Sequence, residues 1–389
     1  MKQVTEKARS PLNSNDESSA FTRVNSGLDG VVVADTSIGG VRGSEGFFHY
    51  GPHNAAVLAE TRTFEEVWHL FVERQIPTAA QAAAFRTRAS QHRQVPDSVL
   101  GLIDVLAGAP MQPMNGARAA LSMLGDQLGV TSWLDDPVPT PERSVQLAAA
   151  FPTIVAALWR SSQGLEVVDP DPSLGMAADY LRMVTGRTPS ADAVAALERY
   201  LILTIDHGFN ASTFTARVIT STGGDLCSAA VGALGALAGP LHGGAPSRVL
   251  DMFDQISDLS DAPRWIERAL ASGEVIMGFG HRIYRADDPR AALLRRTAAE
   301  MGGRYADLAL GMVPMILEAL DRHSPARDLR TNVEYYASVV LDGVGLPRQL
   351  FTPTFAVSRL IGWLAHACEQ AATNRIIRPQ SAYVGQTPA

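Results

Sequence analysis

Apolar positions along this chain repeat mostly with the spacing of an α-helix. The clearest case follows Thr63, which forms a capping-box pattern with Glu66, and Pro77 limits the helix that begins there. One face of this helix is apolar and carries Phe64, Val67, Trp68, Phe71 and Val72. The pattern predicts an amphipathic helix packed against a core.

Prolines and glycines mark the ends of further predicted helices. These run from near Pro189 to Ile205 with a stop at Gly208, from Asp288-Pro289 to Gly302-Gly303, and from Pro353 toward Ala372. The short run Val31–Val33 predicts a small strand in a hairpin. Because strands and helices do not alternate, a Rossmann-type sheet is disfavoured and a nearly all-helical fold is predicted.

Composition supports a globular protein of more than one domain. The chain has 389 residues, of which 46% are hydrophobic and 19% charged, and this excludes a wholly disordered or fibrous protein. At about 150 residues per domain, the length predicts two or three domains. The formal net charge of -7 argues against nonspecific binding of nucleic acid.

The cations of this chain are almost all arginines. Lysine occurs only at Lys2 and Lys7, and 31 of the 33 basic residues are Arg. An anion site in the folded body must therefore use Arg, His or backbone N–H groups, and Arg binds carboxylates through a two-pronged fork. The two cysteines, Cys227 and Cys368, form neither a disulfide framework nor a metal-binding pattern, which favours a reducing compartment.

No segment is typical of a membrane span or a signal peptide. The longest uncharged run, residues 226–247, is interrupted by glycines and prolines, and its part from Gly239 to Pro246 is predicted to be a domain hinge. Residues 1–26 are polar and rich in serine, so we expect a mobile tail. Together with the two cysteines, these features predict a cytoplasmic protein.

Three of the nine histidines lie in unusual sequence surroundings. His207 lies in DHGFNASTFTARV, His242 in GPLHGGA, and His281 in GFGHRIYRADDPR. Glycines let the backbone approach a ligand closely, so the last two could face a ligand rather than a core. The remaining six are predicted to be ordinary surface or core residues: His49, His53, His69, His92, His323 and His366.

These strings, with the closing R-IRP--AYVG, resemble the citrate synthase family. The resemblance covers residues 207–245, 275–290 and 332–384, and more weakly residues 27–77. It implies an all-α, two-domain fold in which a small helical domain is inserted into a large one. On this basis we expect a tail at 1–26, a large domain at 27–239 and 344–389, and a small domain at 240–343.

The resemblance also implies the reaction. The methyl carbon of acetyl-CoA would attack the keto carbon of oxaloacetate, and the citryl-CoA formed would be hydrolysed to citrate and CoA. The CoA thioester is a substrate, and no metal or bound cofactor is needed. The active site would lie in a cleft between the large and small domains of one subunit. The partner subunit of a homodimer would complete it.

The chemistry explains the residue types that the family provides. Removing a weakly acidic α-proton needs a carboxylate base and a hydrogen-bond donor to the forming enolate oxygen. By resemblance, Glu334 is this base and His242 is a neutral donor. His281 would donate to the oxaloacetate carbonyl, and His207 would hold the same substrate.

Oxaloacetate is a dianion and therefore needs cationic partners. By resemblance, Arg290 and Arg359 bind its carboxylates, and Arg378 reaches the neighbouring active site across the dimer. Gly278 and Gly280 match the loop that wraps the CoA adenine through backbone groups.

The sequence departs from the family pattern at the base. Asn332-Val333-Glu334 stands where Asp is usual, and a carboxylate displaced by ~1 Å can cost ~100-fold in rate. An alternative interpretation is structural, because Thr331-x-x-Glu334 is itself a capping-box pattern.

Two other departures concern binding of anions. Gly51 stands where the family has an Arg, and Gln380 where Arg often follows Arg-Pro. They leave alternatives open: a 2-methylcitrate synthase using propionyl-CoA, a related enzyme using another 2-oxo acid, or a protein that binds ligand without catalysis. One methylene discriminates acyl chains by only ~1–3 kcal/mol, and the three arginines argue for a dicarboxylate substrate.

Overall fold

The computed structural model describes residues 24–109, 112–138, 140–242, 246–280, 284, 286–323 and 329–386. These residues form two compact units. The smaller unit combines residues 24–35 with residues 376–386, and it contains a short 3-10 turn at Ser26–Leu28. The larger unit spans Thr36–Arg375 and carries all the other elements. Most of the predicted tail lies outside the described residues.

The larger unit is helical, which confirms the predicted fold class. In the described part of the chain its α-helices are, in order, α1 (Ala55–Thr61), α2 (Phe64–Glu73), α3 (Ala79–Gln91), α4 (Asp97–Ala107), α5 (Pro113–Gln127), α6 (Thr140–Ser162), α7 (Met176–Thr185), α8 (Ala191–Thr204), α9 (Ala211–Ser221), α10 (Leu226–Leu237), α11 (Pro246–Phe253), α12 (Ala262–Ala271), α13 (Pro289–Met301), α14 (Arg304–His323), α15 (Val333–Gly343) and α16 (Phe351–Ala372). Two 3-10 turns lie at Leu259–Asp261 and Arg348–Leu350.

The predicted helix boundaries agree with the structure. Thr63 caps α2 through a complete capping box with Glu66, and the helix ends before Pro77 because Arg74 takes a left-handed conformation (φ 60°). Asp288 caps α13, whose first residue is Pro289. The helix predicted from Pro353 begins two residues earlier, at Phe351.

The prediction of a strand at Val31–Val33 was wrong. This segment forms no strand, and Val32 is 85% exposed, so its apolar side chain is not packed on a sheet. A small antiparallel sheet lies instead at β1 (Gly39–Arg42), β2 (Phe47–Tyr50) and β3 (His53–Asn54). Gly39 permits the close pairing, because a Cβ there would lie 2.4 Å from the His49 carbonyl oxygen.

Helix α16 is the central element of the larger unit. It packs against α6, α9 and α10 and is buried along nearly its whole length. A second set of contacts joins α13 to α15 and both of these helices to α8. The end of α8, the start of α15 and the middle of α16 are thereby brought near one another. The division into large and small domains at 240 and 343 remains a prediction.

Among the residues described, no helix combines the length and the apolar character that a membrane span requires.

Candidate functional site

Five of the residues singled out from the sequence lie at or near the ends of helices, or on α16. His207 follows α8, Arg290 opens α13, Glu334 opens α15, Arg359 lies on α16, and His242 lies after α10. Their charges interact. The positive charges of Arg290 and Arg359 lower the pKa of Glu334, and that of Arg359 lowers the pKa of His242. The structure thus brings together residues separated by more than a hundred positions in the sequence.

Glu334 is a buried carboxyl in the first turn of α15. Its Oε2 has no hydrogen-bond partner within the described residues. Burial raises its pKa to about 7, although Arg290 and Arg359 both favour the charged form. A carboxyl that titrates near neutral pH and has an unoccupied oxygen is suited to accept a proton from a ligand.

The capping-box interpretation of Thr331 and Glu334 is wrong. Helix α15 begins at Val333, and its N-cap is Asn332, whose Oδ1 accepts a hydrogen bond from the Glu334 backbone N–H at 3.0 Å. Thr331 forms a backbone bridge to Phe279 instead. Because Asn332 performs the capping, the side chain of Glu334 is left for another purpose.

His242 contacts a serine that the sequence analysis overlooked. Its Nε2 lies 2.8 Å from Ser212 Oγ, which also accepts a hydrogen bond from Trp363 Nε1 at 3.0 Å. Burial, and then the positive charge of Arg359, lower the pKa of His242 to about 4. The imidazole is therefore neutral at pH 7. Ser212 Oγ donates to Asn210 Oδ1 at 2.7 Å, so this serine joins His242 to the N-cap residue of α9.

His207 is buried and held by aromatic side chains. Its Nε2 lies 3.0 Å from Tyr284 Oη, and its ring packs near Phe48 at 5.8 Å between centroids. The chain turns immediately afterwards at Gly208, whose φ of 66° is in the left-handed region that favours glycine. Tyr284, like Ser212, lies in a string quoted above, but nothing in the sequence indicated its partner.

Arg290 and Arg359 are buried guanidinium groups that donate hydrogen bonds to the protein. Arg290 binds both oxygens of Asp288, through Nε at 3.0 Å and Nη2 at 2.8 Å. Arg359 donates from Nε to the Thr204 carbonyl oxygen at 2.7 Å. Burial lowers the pKa of Arg359, which means that its positive charge is incompletely compensated. Such a site favours an anionic ligand.

Gly278 and Gly280 are joined to the start of α15 by hydrogen bonds. The Asn332 backbone N–H donates to the Gly278 carbonyl at 2.9 Å, and Asn332 Nδ2 donates to the Gly280 carbonyl at 2.9 Å. A Cβ on Gly278 would lie 2.6 Å from Tyr335 Cβ, so this glycine is required by packing. Binding of CoA by this loop remains a prediction.

The other predicted site residues cannot be placed with this group. His281 lies outside the described residues. Arg378 and Gln380 are exposed residues of the smaller unit. Gly51 follows Tyr50, whose buried hydroxyl donates to the Ile202 carbonyl at 2.7 Å, so this turn is tied to α8.

Within the described ranges, no group of three or more His, Cys, Asp or Glu side chains is arranged to hold a metal ion. Cys227 and Cys368 are both free thiols.

Comparison with known proteins shows one family throughout. The family model described as citrate synthase, C-terminal domain, matches residues 27–380. Citrate synthase of Haloferax volcanii is 35% identical over 363 residues, covering 92% of this chain and 95% of the relative. A 2-methylcitrate synthase of Mycobacterium tuberculosis is 38% identical over 367 residues, covering 93% and 91%.

Solved structures agree with this result. Citrate synthase of Thermotoga maritima superimposes with a TM-score of 0.82 at 33% identity, over 94% of this chain and 97% of that one. The enzyme of Thermoplasma acidophilum, in a ternary complex with carboxymethyl coenzyme A and oxaloacetate, has a TM-score of 0.86 at 26% identity, over 95% and 98%.

Proposed function

Because this chain belongs to the citrate synthase family, we propose that it condenses acetyl-CoA with oxaloacetate and hydrolyses the resulting citryl-CoA to citrate and CoA. The observation that carries the proposal is the buried Glu334 carboxyl, whose Oε2 has no partner in the described structure and which interacts with two buried arginines. A site with this charge arrangement suits proton removal next to a bound dianion.

Glu334 acts as the base in this proposal. It takes a proton from the methyl group of the thioester, and its pKa of about 7 gives it useful basicity while a large fraction is ionised at neutral pH. Glutamate thus replaces the aspartate usual in the family, and Asn332 fixes the backbone from which the longer side chain extends.

His242 stabilises the enolate. In its neutral form, the imidazole donates an N–H to the thioester oxygen as negative charge develops there. A neutral donor suits this role, because an imidazolium would transfer its proton more readily.

Oxaloacetate binds to the cationic part of the site. We assign its carboxylates to Arg290, Arg359 and the partner's Arg378, and its keto group to His281 and His207. The burial of both arginines supports this assignment, and for Arg359 a dianion would offset a charge that the protein compensates only in part.

The assembly is a homodimer in the cytoplasm in this proposal. The segment 240–343 forms the small domain, which closes on the large domain to exclude water during condensation. Gly278 and Gly280 bind CoA through their backbones, and the chemistry uses no metal and no bound cofactor. The two cysteines, both free thiols, fit a reducing compartment.

A 2-methylcitrate synthase is the second candidate. It is favoured by the relative of that name, which is 38% identical to this chain, compared with 35% for the Haloferax enzyme. The same residues would act, with propionyl-CoA as the acyl donor.

The experiment is release of the CoA thiol with oxaloacetate, comparing acetyl-CoA with propionyl-CoA at matched concentrations. A higher kcat/KM for acetyl-CoA supports the first proposal, and a higher value for propionyl-CoA supports the second. Glu334→Gln is the control for background hydrolysis. No release with either thioester would contradict both candidates, and binding of CoA and oxaloacetate without turnover would identify a ligand-binding protein.

A further inference from the structure

A buried chain of polar side chains runs from α16 to the residue next to His207. His366 Nε2 lies 3.2 Å from Asp206 Oδ1, and its Nδ1 lies 3.2 Å from Arg217 Nη1. The same Nη1 donates to Glu369 Oε2 at 2.7 Å. Asp206, His366 and Arg217 are each at least 97% buried. The four residues come from α9, α16 and the turn after α8.

The direction of each hydrogen bond in this chain follows from arginine chemistry. A guanidinium can only donate, and Nη1 has two hydrogens, one for Glu369 and one for His366. His366 Nδ1 must therefore accept, which places the ring proton on Nε2. This proton is donated to Asp206. The chain thus holds His366 as one neutral tautomer and Asp206 as a carboxylate.

Asp206 controls the turn that carries His207. Its Oδ2 accepts a hydrogen bond from the Gly208 backbone N–H at 3.2 Å. This bond connects the residues on either side of His207 and so fixes the backbone from which the His207 ring extends. The far end of the chain is also fixed, since Glu369 Oε1 accepts both the Ser37 backbone N–H and its hydroxyl at 2.7 Å.

We propose that Glu369, Arg217 and His366 form a relay that orients Asp206, and through it His207, for binding oxaloacetate. They are positioning residues, and the proposal rests on the assignment of His207 to this substrate. A relay of this kind replaces mobile solvent around the turn by fixed hydrogen bonds, which prepares the His207 ring before substrate arrives.

The first test compares two buried histidines. His366→Leu breaks the relay, while His69→Leu removes a histidine of similar burial whose Nδ1 contacts only the Gln75 carbonyl among its described hydrogen bonds. Both variants should have a lower Tm. Only His366→Leu should raise the KM for oxaloacetate, by roughly tenfold, with the KM for acetyl-CoA changed less than about twofold. Equal effects of the two variants on both KM values would overturn the relay.

Two further sets of variants test whether the affinity for oxaloacetate can be restored and whether His366 and Glu369 act together. His366→Gln retains an N–H donor near the Nε2 position, so it should recover at least half of the lost oxaloacetate affinity on a logarithmic scale. If His366→Leu does not fold, His366→Gln is the variant that tests the relay. Glu369→Gln should raise the same KM by a smaller factor. In the double variant His366→Leu/Glu369→Gln, the KM for oxaloacetate should rise by less than the product of the two factors measured in the single variants. Full multiplication would show two independent sites and reject the relay.

A spectroscopic measurement separates failure of the relay from failure of the proposed function. Nitrogen NMR of protein labelled at histidine, with the His366 signal assigned from its loss in His366→Gln, should show the neutral tautomer with its proton on Nε2. This result requires no turnover. If the tautomer is present but the native protein releases no CoA, the relay stands and the proposed reaction fails. A proton on Nδ1 would overturn the relay whatever the activity.

Discussion

The environment of Glu334 places two opposing demands on one carboxyl. Burial favours the protonated form, whereas Arg290 and Arg359 favour the ionised form, and the balance gives a pKa of about 7. A base in this range is strong enough to act and is still ionised in a large fraction of molecules. The side chain is thus tuned by position rather than by residue type.

Replacement of this carboxyl tests its role directly. Glu334→Gln keeps the size of the side chain and removes the base, so kcat should fall by at least ~100-fold, while the Kd for oxaloacetate changes little. Thiol release and calorimetric binding give the two quantities. A variant with undiminished turnover would show that another group accepts the proton.

The pH dependence of the rate should report the same group. Because Glu334 must be ionised to accept a proton, kcat/KM for the thioester should decrease about tenfold per pH unit below about 7 and level off above it. His242 contributes no second decrease near neutrality, since its pKa is about 4. A profile that is flat from pH 5.5 to 8 would disagree with this assignment.

At the scale of the element, the start of α15 joins two predicted parts of the site. Asn332 caps the helix through Oδ1 and holds the glycine loop through Nδ2, so the position of Glu334 and that of the loop depend on one side chain. The family string contains this asparagine, but its double contact arises only because residues 278–280 pair with residues 330–332 in the fold.

Asn332→Ala should therefore affect both stability and rate. Loss of the cap should lower the free energy of unfolding by about 1 kcal/mol. The kcat should decrease by at least tenfold, because Glu334 and the loop lose their common anchor. Asn54→Ala removes the cap of α1 and is the matched control for a general capping effect on stability. Loss of stability with native kcat would contradict the anchoring role of Asn332.

Sequence patterns predicted helices better than they predicted the sheet. Thr63 and Asp288 marked helix starts because capping is a local interaction within one turn. Val31–Val33 failed as a strand because pairing depends on a partner segment, and the pairing formed at Gly39–Arg42 instead. Propensity alone does not choose the partner.

The same limit applies to the whole molecule. The family resemblance singled out His207, His242, Glu334 and the arginines as candidate site residues from short strings. Tyr284, Ser212 and Trp363 could not be paired with them, because their contacts form only after distant helices pack. His366 was predicted to be an ordinary histidine, yet its partners lie 149 and 160 residues away in the sequence.

Glu334 and His242 should make opposite contributions to the pH dependence of the free energy of unfolding. The folded pKa of Glu334, about 7, is above its ordinary value of 4.5, so stability falls as pH rises from about 4.5 to about 7. The folded pKa of His242, about 4, is below its ordinary value of 6.5, so stability rises as pH rises from about 4 to about 6.5. The two contributions oppose each other between about pH 4.5 and 6.5.

Removing either residue should expose the contribution of the other. Relative to the native protein, Glu334→Gln should gain stability as pH rises from 4.5 to 7, reaching roughly 3 kcal/mol at pH 8, since one pKa unit corresponds to about 1.4 kcal/mol. His242→Asn should show the opposite trend relative to the native protein over its own window, from about pH 4 to 6.5. Denaturant unfolding across this pH range measures both. Parallel curves for all three proteins would contradict the two pKa shifts.

The use of arginine at positions 290 and 359 has a consequence for covalent damage by thioesters. Thioesters slowly acylate amines, and an enzyme that binds them repeatedly exposes its own lysines to this damage. A guanidinium stays protonated and does not attack a thioester. Lysine occurs only at positions 2 and 7, so a thioester bound between residues 27 and 380 would meet arginines, which it does not acylate.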